Sequence, residues 1–137
     1  MKKFDISTTS DQADGLSLAI VHVQGYLDSS TFPQLQEHLE LLIQQEQYRI
    51  AVDLMNLNYI SSAGIGVLMG MLQEVRSRDG DLKLVNMSSK IQNLFDMLGF
   101  SRLIRIYDSV DAVKVAFLEE SRHVTNADEQ TPAEENY

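Results

Sequence analysis

The stretch VDLMNLNYISSAGIGVLMGM, Val52 to Met71, changes character twice. It opens within YRIAVDLMNL, a mostly apolar run, which predicts a central strand, because a strand with one face in water would alternate more regularly. It turns through Ser61 and Ser62 and leaves through Gly64, Gly66 and Gly70. These glycines lie in a segment, Ala63 to Arg78, where Ile65, Leu68, Met69, Leu72 and Val75 recur at helical spacing. Each glycine inside a helix costs about 0.8 to 1 kcal/mol relative to alanine. Three of them ask for a compensating reason.

The flanks continue the alternation of strand and helix. Upstream, Phe4 to Thr9 alternates weakly, SDQADG supplies turn residues and LSLAIVHVQG alternates as a strand, so the chain is expected to open with a hairpin. Phe32, Leu35, Leu39, Leu42 and Ile43 then mark a helix with Pro33 in its first turn and a Ser or Thr before it as cap. YRIAVDLMNL is the central strand. Downstream, RDGD ends the glycine-bearing helix and LKLVNM is a strand. SSKIQNLFDMLGF is a capped helix with Ile91, Leu94, Phe95 and Leu98 inward and Gly99 as its stop. LIRIY is a further strand and DSVDAVKVAFLEES a last amphipathic helix. Strands alternating with helices imply crossover units, so the expected class is α/β: one domain over residues 1–121, a mixed but mostly parallel sheet of four to five strands, and about four helices. Residues 122–137, RHVTNADEQTPAEENY, are polar and acidic, and are expected to form a disordered tail.

Composition narrows the function. The 137 residues are enough for one domain with a core. With 20 acidic against 11 basic residues the formal charge is -9, which argues against nucleic acid or anionic lipid as a partner. No cysteine is present, so disulfides and thiolate metal sites are excluded and a reducing cytosol is compatible. MKKFDISTTSDQADG does not resemble a signal peptide, and no apolar run approaches the roughly 18 residues of a membrane span. A cytoplasmic protein is expected.

Catalytic readings of the serine turn fare poorly. The Gly-x-Ser-x-Gly elbow of serine hydrolases is absent. His22 falls in a strand, His38 in a helix and His123 in the tail, none set beside Ser61 or Ser62 and none with metal-ligand spacing. A phosphate cradle is a weak match as well, since Met69 stands where a dinucleotide fingerprint needs its third glycine and no Lys-Ser/Thr pair follows. Two readings of the glycines stay open. Ser62, Gly66, Gly70 and Gln73 share a helical face, along which a partner could approach bare backbone; equally, the glycines could admit a neighbouring element of the domain itself. Serines at a helix start are often simply caps.

The same stretch resembles the STAS-domain family, specifically the bacterial anti-sigma factor antagonists. A strand carrying Asp-Leu leads through a serine turn to Gly-aliphatic-Gly at a helix start. GYLDSSTFPQL is similar to that family's early Gly-x-Leu-Asp, and KLVNMSSKIQNLFDMLGFSRLIRIYDSVDAVKVAF to its ending; the similarity runs from about Phe4 to Phe117. The resemblance implies a regulator without catalysis, metal or cofactor of its own, working by partner switching. The unmodified protein binds an anti-sigma factor that is also a serine kinase; phosphorylation releases it, and a serine phosphatase resets it. Ser62 aligns with the phosphoacceptor, Ser61 being the fallback. Asp28 aligns with an aspartate near the family's partner-binding surface, and Asp28, Ser61, Gly64, Gly66 and Gly70 are the partner-binding residues expected here. Ser61 stands where the family carries aspartate, and Ala63 where it carries serine or threonine. The alternative is a STAS subunit serving as a scaffold in a stress-sensing or lipid-transport assembly.

Overall fold

The computed structural model describes the backbone of residues 3–134 and the side chains of residues 3–122. Five strands, β1 (Phe4–Ala13), β2 (Leu16–Leu27), β3 (Arg49–Ile60), β4 (Asp81–Val85) and β5 (Arg105–Tyr107), form one sheet in the order β1-β2-β3-β4-β5. β1 runs antiparallel to β2, and every later neighbour is parallel. The helices are α1 (Phe32–Gln44), α2 (Ser62–Arg76), α3 (Ser89–Met97) and α4 (Val110–Glu134). This is the expected mixed α/β sheet.

The opening hairpin is tighter than SDQADG implies. β1 continues to Ala13 and the turn is Asp14-Gly15 alone, with φ of 50° and 83°. Two successive left-handed residues make the turn whose twist matches that of the strands, and Asp-Gly tolerates it. Alternation along the strands then divides the interior in two. Ala19, Val21, Ile50, Val52, Leu82 and Leu84 face α1, α2 and α3, while Leu18, Ile20, Ala51 and Val85 face Val113 and Phe117 of α4. In α3, Ile91 and Phe95 are buried, whereas Leu98, expected inward, is half exposed at the helix end, just before Gly99 turns the chain at φ 80°.

Lys83 lies wholly buried on the α4 face. Its ammonium donates to Asp81 Oδ2 at 2.7 Å and Glu120 Oε2 at 2.6 Å, and stands 4.8 Å from the Phe117 ring centroid. Burial pushes its pKa down, but the two carboxylate hydrogen bonds outweigh burial and hold it above the usual value. The contact with Glu120 therefore ties α4 to β4 alongside its apolar side chains.

α4 runs on to Glu134, past the boundary expected at 121; the side chains of 123–134, His123 among them, and residues 135–137 lie outside the described set. At that boundary Arg122 meets Asp14 at 4.0 Å with both side chains mostly exposed, a pairing of little energetic weight. The dispensability of 122–137 for folding is therefore our proposal, and deleting them should leave the melting temperature nearly unchanged. A fall of more than a few degrees would show that the segment docks. A second expectation concerns His38 of α1, which hydrogen-bonds Thr8 Oγ1 and is held by burial below its usual pKa of about 6.5. The unfolded chain takes up that proton first, so stability should decline as pH falls through about 6.5. Melting curves of His38→Gln should lack this part of the acid dependence; an identical pH profile would exclude it.

Candidate functional site

Two turns meet at the C-terminal edge of the sheet. Leu27 and Ile60 are register partners at the ends of β2 and β3, and the Ser61 amide donates to Leu27 O at 2.8 Å. Asp28 and Ser61, one residue beyond each strand, are thereby brought together.

Asp28 orders the first turn. Its carbonyl accepts from the amides of Thr31 and Phe32, and its Oδ1 accepts from the Ser30 amide at 2.9 Å and the Ser30 hydroxyl at 2.7 Å. Thr31 occupies the N-cap position of α1 but makes no side-chain cap. Its hydroxyl is drawn inward to donate to Tyr26 O at 2.7 Å, and Asp28 serves the helix start instead.

The second turn separates the two serines by role. Ser61 is extended at φ -96°, ψ 171°, and its Oγ accepts from the Gly64 amide at 3.3 Å, which makes it the N-cap of α2. Ser62 is the first helical residue, exposed, with no hydrogen bond from its side chain among the described residues. A free hydroxyl thus stands over a helix N-terminus whose unpaired amides and dipole favour negative charge.

The three glycines also divide. Gly64, expected on the partner-binding surface, is buried: a Cβ there would lie 2.7 Å from Leu27 Cγ and 3.1 Å from Ile60 Cγ1. Its bareness serves internal packing. Gly66 and Gly70 are exposed, and a Cβ on either would meet open space. Nothing inside the domain requires them. They form one wall of a shallow groove of about 340 Å³, closed by Ala63, Val67 and Met71 of α2 and by Phe32 and Gln36 of α1. The sequence had not pointed to Phe32 and Gln36 as surface groups; their i, i+4 spacing on α1 was the available signal.

Neither of the described histidines, His22 and His38, hydrogen-bonds to Ser61 or Ser62. His22 pairs through Nδ1 with Asp53 Oδ2 at 2.9 Å and through Nε2 with Thr9 Oγ1 at 3.1 Å, so both ring nitrogens are engaged on the sheet. No cluster of three or more metal-ligating side chains occurs among the described residues.

The STAS domain family matches residues 8–113. The chain belongs to the STAS-domain family. It is 30% identical over 109 residues to BtrV of Bordetella bronchiseptica, a match covering 80% of this chain and 92% of that one. It is 33% identical over 86 residues to the anti-sigma-B factor antagonist of Listeria monocytogenes, covering 63% and 75% respectively. The fold superimposes with a TM-score of 0.60 on the phosphorylated form of the Bacillus protein SpoIIAA, at 18% identity, over 80% of this chain and 99% of that one. In this STAS domain no helix among the described residues is long and apolar enough to cross a membrane.

Gly64 and Gly70 should respond oppositely to alanine. Gly64→Ala must displace the buried Leu27 and should cost about 1 to 3 kcal/mol. Gly70→Ala should hold or raise stability, by up to about 1 kcal/mol from helix propensity. Chemical denaturation compares the two. Strong destabilisation by Gly70→Ala would mean that its face is covered within the domain.

Proposed function

We propose that this STAS protein is an anti-sigma factor antagonist that acts by partner switching: unmodified, it binds an anti-sigma factor with serine kinase activity, and phosphorylation at Ser62 releases it until a serine phosphatase restores the hydroxyl. The observation that carries the proposal is the pairing of an exposed, unbonded Ser62 with the open backbone of Gly66 and Gly70 along one face of α2. The Listeria relative, an anti-sigma-B factor antagonist, and the phosphorylated state of SpoIIAA support the same reading.

The chemistry asks little of this chain. A kinase supplies base, ATP and magnesium, and the substrate needs only a hydroxyl that can reach them. Phosphorylation adds about -1.5 to -2 charges at pH 7. The N-terminus of α2 accommodates them, but a closely fitted partner surface over Gly66 and Gly70 would not. The modification is therefore expected to act on binding far more than on folding.

Incubation of the protein with ATP and its kinase-type anti-sigma factor, followed by phosphopeptide mapping, tests the assignment. Ser62→Ala should lose phosphate incorporation and keep binding. Ser62→Asp should bind more weakly, and Gly70→Ala likewise. Ser61→Ala should lower stability by about 0.5 to 2 kcal/mol through the lost cap while phosphorylation continues. Phosphate mapped to Ser61, or wild-type affinity in Ser62→Asp, would overturn the assignment. Recovery of a large multi-subunit assembly in place of an anti-sigma factor would favour a scaffold.

A further inference from the structure

The two edges of the sheet are unequal. β5 closes one side with three residues, whereas β1 closes the other with ten and has β2 as its one neighbour in the sheet. The register between β1 and β2 runs unbroken from Phe4↔Gly25 to Ala13↔Leu16, and the Tyr26 amide donates to Lys3 O at 2.8 Å, so the chain already lies alongside β2 at residue 3. An edge strand turns every second N–H and C=O outward, and natural sheets that avoid self-pairing keep such strands short, bulge them or place proline in them. β1 has neither bulge nor proline. Its outer row of backbone groups is a template for another strand.

The side chains of β1 select which strand. Opposed residues in a sheet share a face, and residues of one strand share a face only at even separation, so two copies related by a two-fold axis normal to the sheet pair antiparallel about a single residue. Three centres lie near mid-strand. Within residues 3–13, centring on Thr8 opposes Asp5 of each copy to Asp11 of the other, which makes two like-charge pairs. Centring on Thr9 opposes Asp5 to Ala13 and Asp11 to Ser7, and no charges meet. Centring on Ser7 opposes Lys3 to Asp11 twice, Ile6 to Thr8 and Asp5 to Thr9. Of the three, only the Ser7 register joins unlike charges. It also ends at residue 11, short of Gln12, whose amide is already taken by Asp11 Oδ1 at 2.7 Å. Lys3 is exposed and makes no ion pair among the described residues. Asp11 pairs with Lys114 of α4 at 2.7 Å but keeps 36% of its side chain exposed, which leaves room for a second cation.

We infer that β1 is a self-association surface: a second copy of this chain adds its β1 to this one, antiparallel about Ser7 over residues 3–11, and the two sheets become continuous. The inference goes beyond the switching function and uses no residue of the serine turn. Strand pairing of this kind buries little apolar area, so the dimer is weak and depends on concentration.

Sedimentation equilibrium of the full chain tests it. The apparent mass of the wild type should rise from 15.5 kDa towards twice that value with concentration. Lys3→Glu and Asp11→Lys each turn two unlike pairs into two like ones, and each should raise the dimer Kd about tenfold. An equimolar mixture of the two variants should return to within about threefold of the wild-type Kd, because the mixed dimer has an unlike pair at both positions. The substitutions change net charge in opposite directions, so a general charge effect would not weaken both. Lys3 precedes the first strand, so Lys3→Glu keeps the test valid if Asp11→Lys unsettles the Lys114 contact. A wild-type chain still monomeric at about 1 mM overturns the inference. So does a dimer whose Kd neither substitution changes, or whose weakening the mixture does not reverse.

Discussion

The parallel pairing of β2 with β3 is the constraint on which the rest of the site depends. It ends both strands together at Leu27 and Ile60, and so puts the Asp28 turn beside the Ser61 turn. That pairing is irregular. His22 faces Asp53 but Gln24 faces Asn56, and Gly25 faces Leu57 but Tyr26 faces Tyr59, so β3 carries an extra residue at each of two places. Asp53 stabilises the first irregularity. Its Oδ1 accepts from the Met55 amide at 3.0 Å and Asn86 Nδ2 at 3.1 Å, and its Oδ2 meets His22. One carboxylate therefore joins β2, β3 and the end of β4 where the register slips. Asp53 of the Asp-Leu pair is thus a structural clamp at the place where the register first slips, eight residues before Ser61.

The two bulges also explain which parts of the sequence were legible. Up to Leu54 the burial of β3 matches a central strand, and that element was readable from its apolar run. Beyond it, Leu54, Leu57 and Ile60 are buried at every third residue, a spacing that belongs to neither a regular strand nor a regular helix. The end of β3 was therefore not legible from period alone, although the strand continues to the serine turn. The same limit applies at α3. Ile91 and Phe95 follow helical spacing and are buried, but Leu98 has the right spacing and no neighbouring element to cover it, since the helix ends at Met97. Periodicity reports which residues share a face; what covers that face is set by topology.

A different gap concerns charge. Lys83 sits in LKLVNM, where strand alternation places it on the α4 face, and a lysine there reads as solvent-facing. The structure buries it completely, with Asp81 two residues away on the same strand and Glu120 arriving from α4, 37 residues on. Only the first partner could be anticipated from strand geometry, because residues two apart share a face. An isolated buried ammonium would be costly, and a pair can still fail to offset its desolvation. Here two carboxylates and the faces of Phe117 and Tyr107 surround one cation, which ties the position of α4 to the centre of the sheet.

These fixed contacts bear on how a modification at Ser62 could act. The cap bond of Ser61, the packing of Gly64 on Leu27 and the Asp53 clamp make no use of the Ser62 hydroxyl. A phosphate there would break no contact that holds the turn, and the amide-rich helix start below it favours the added charge. Only a surface laid against the α2 face would meet the phosphate with its own desolvation and repulsion. On the proposed reading, the division of labour between adjacent serines is what permits a switch. Ser61 keeps the turn in one shape in both states, so that the change at Ser62 is expressed in the partner's affinity and not in the fold.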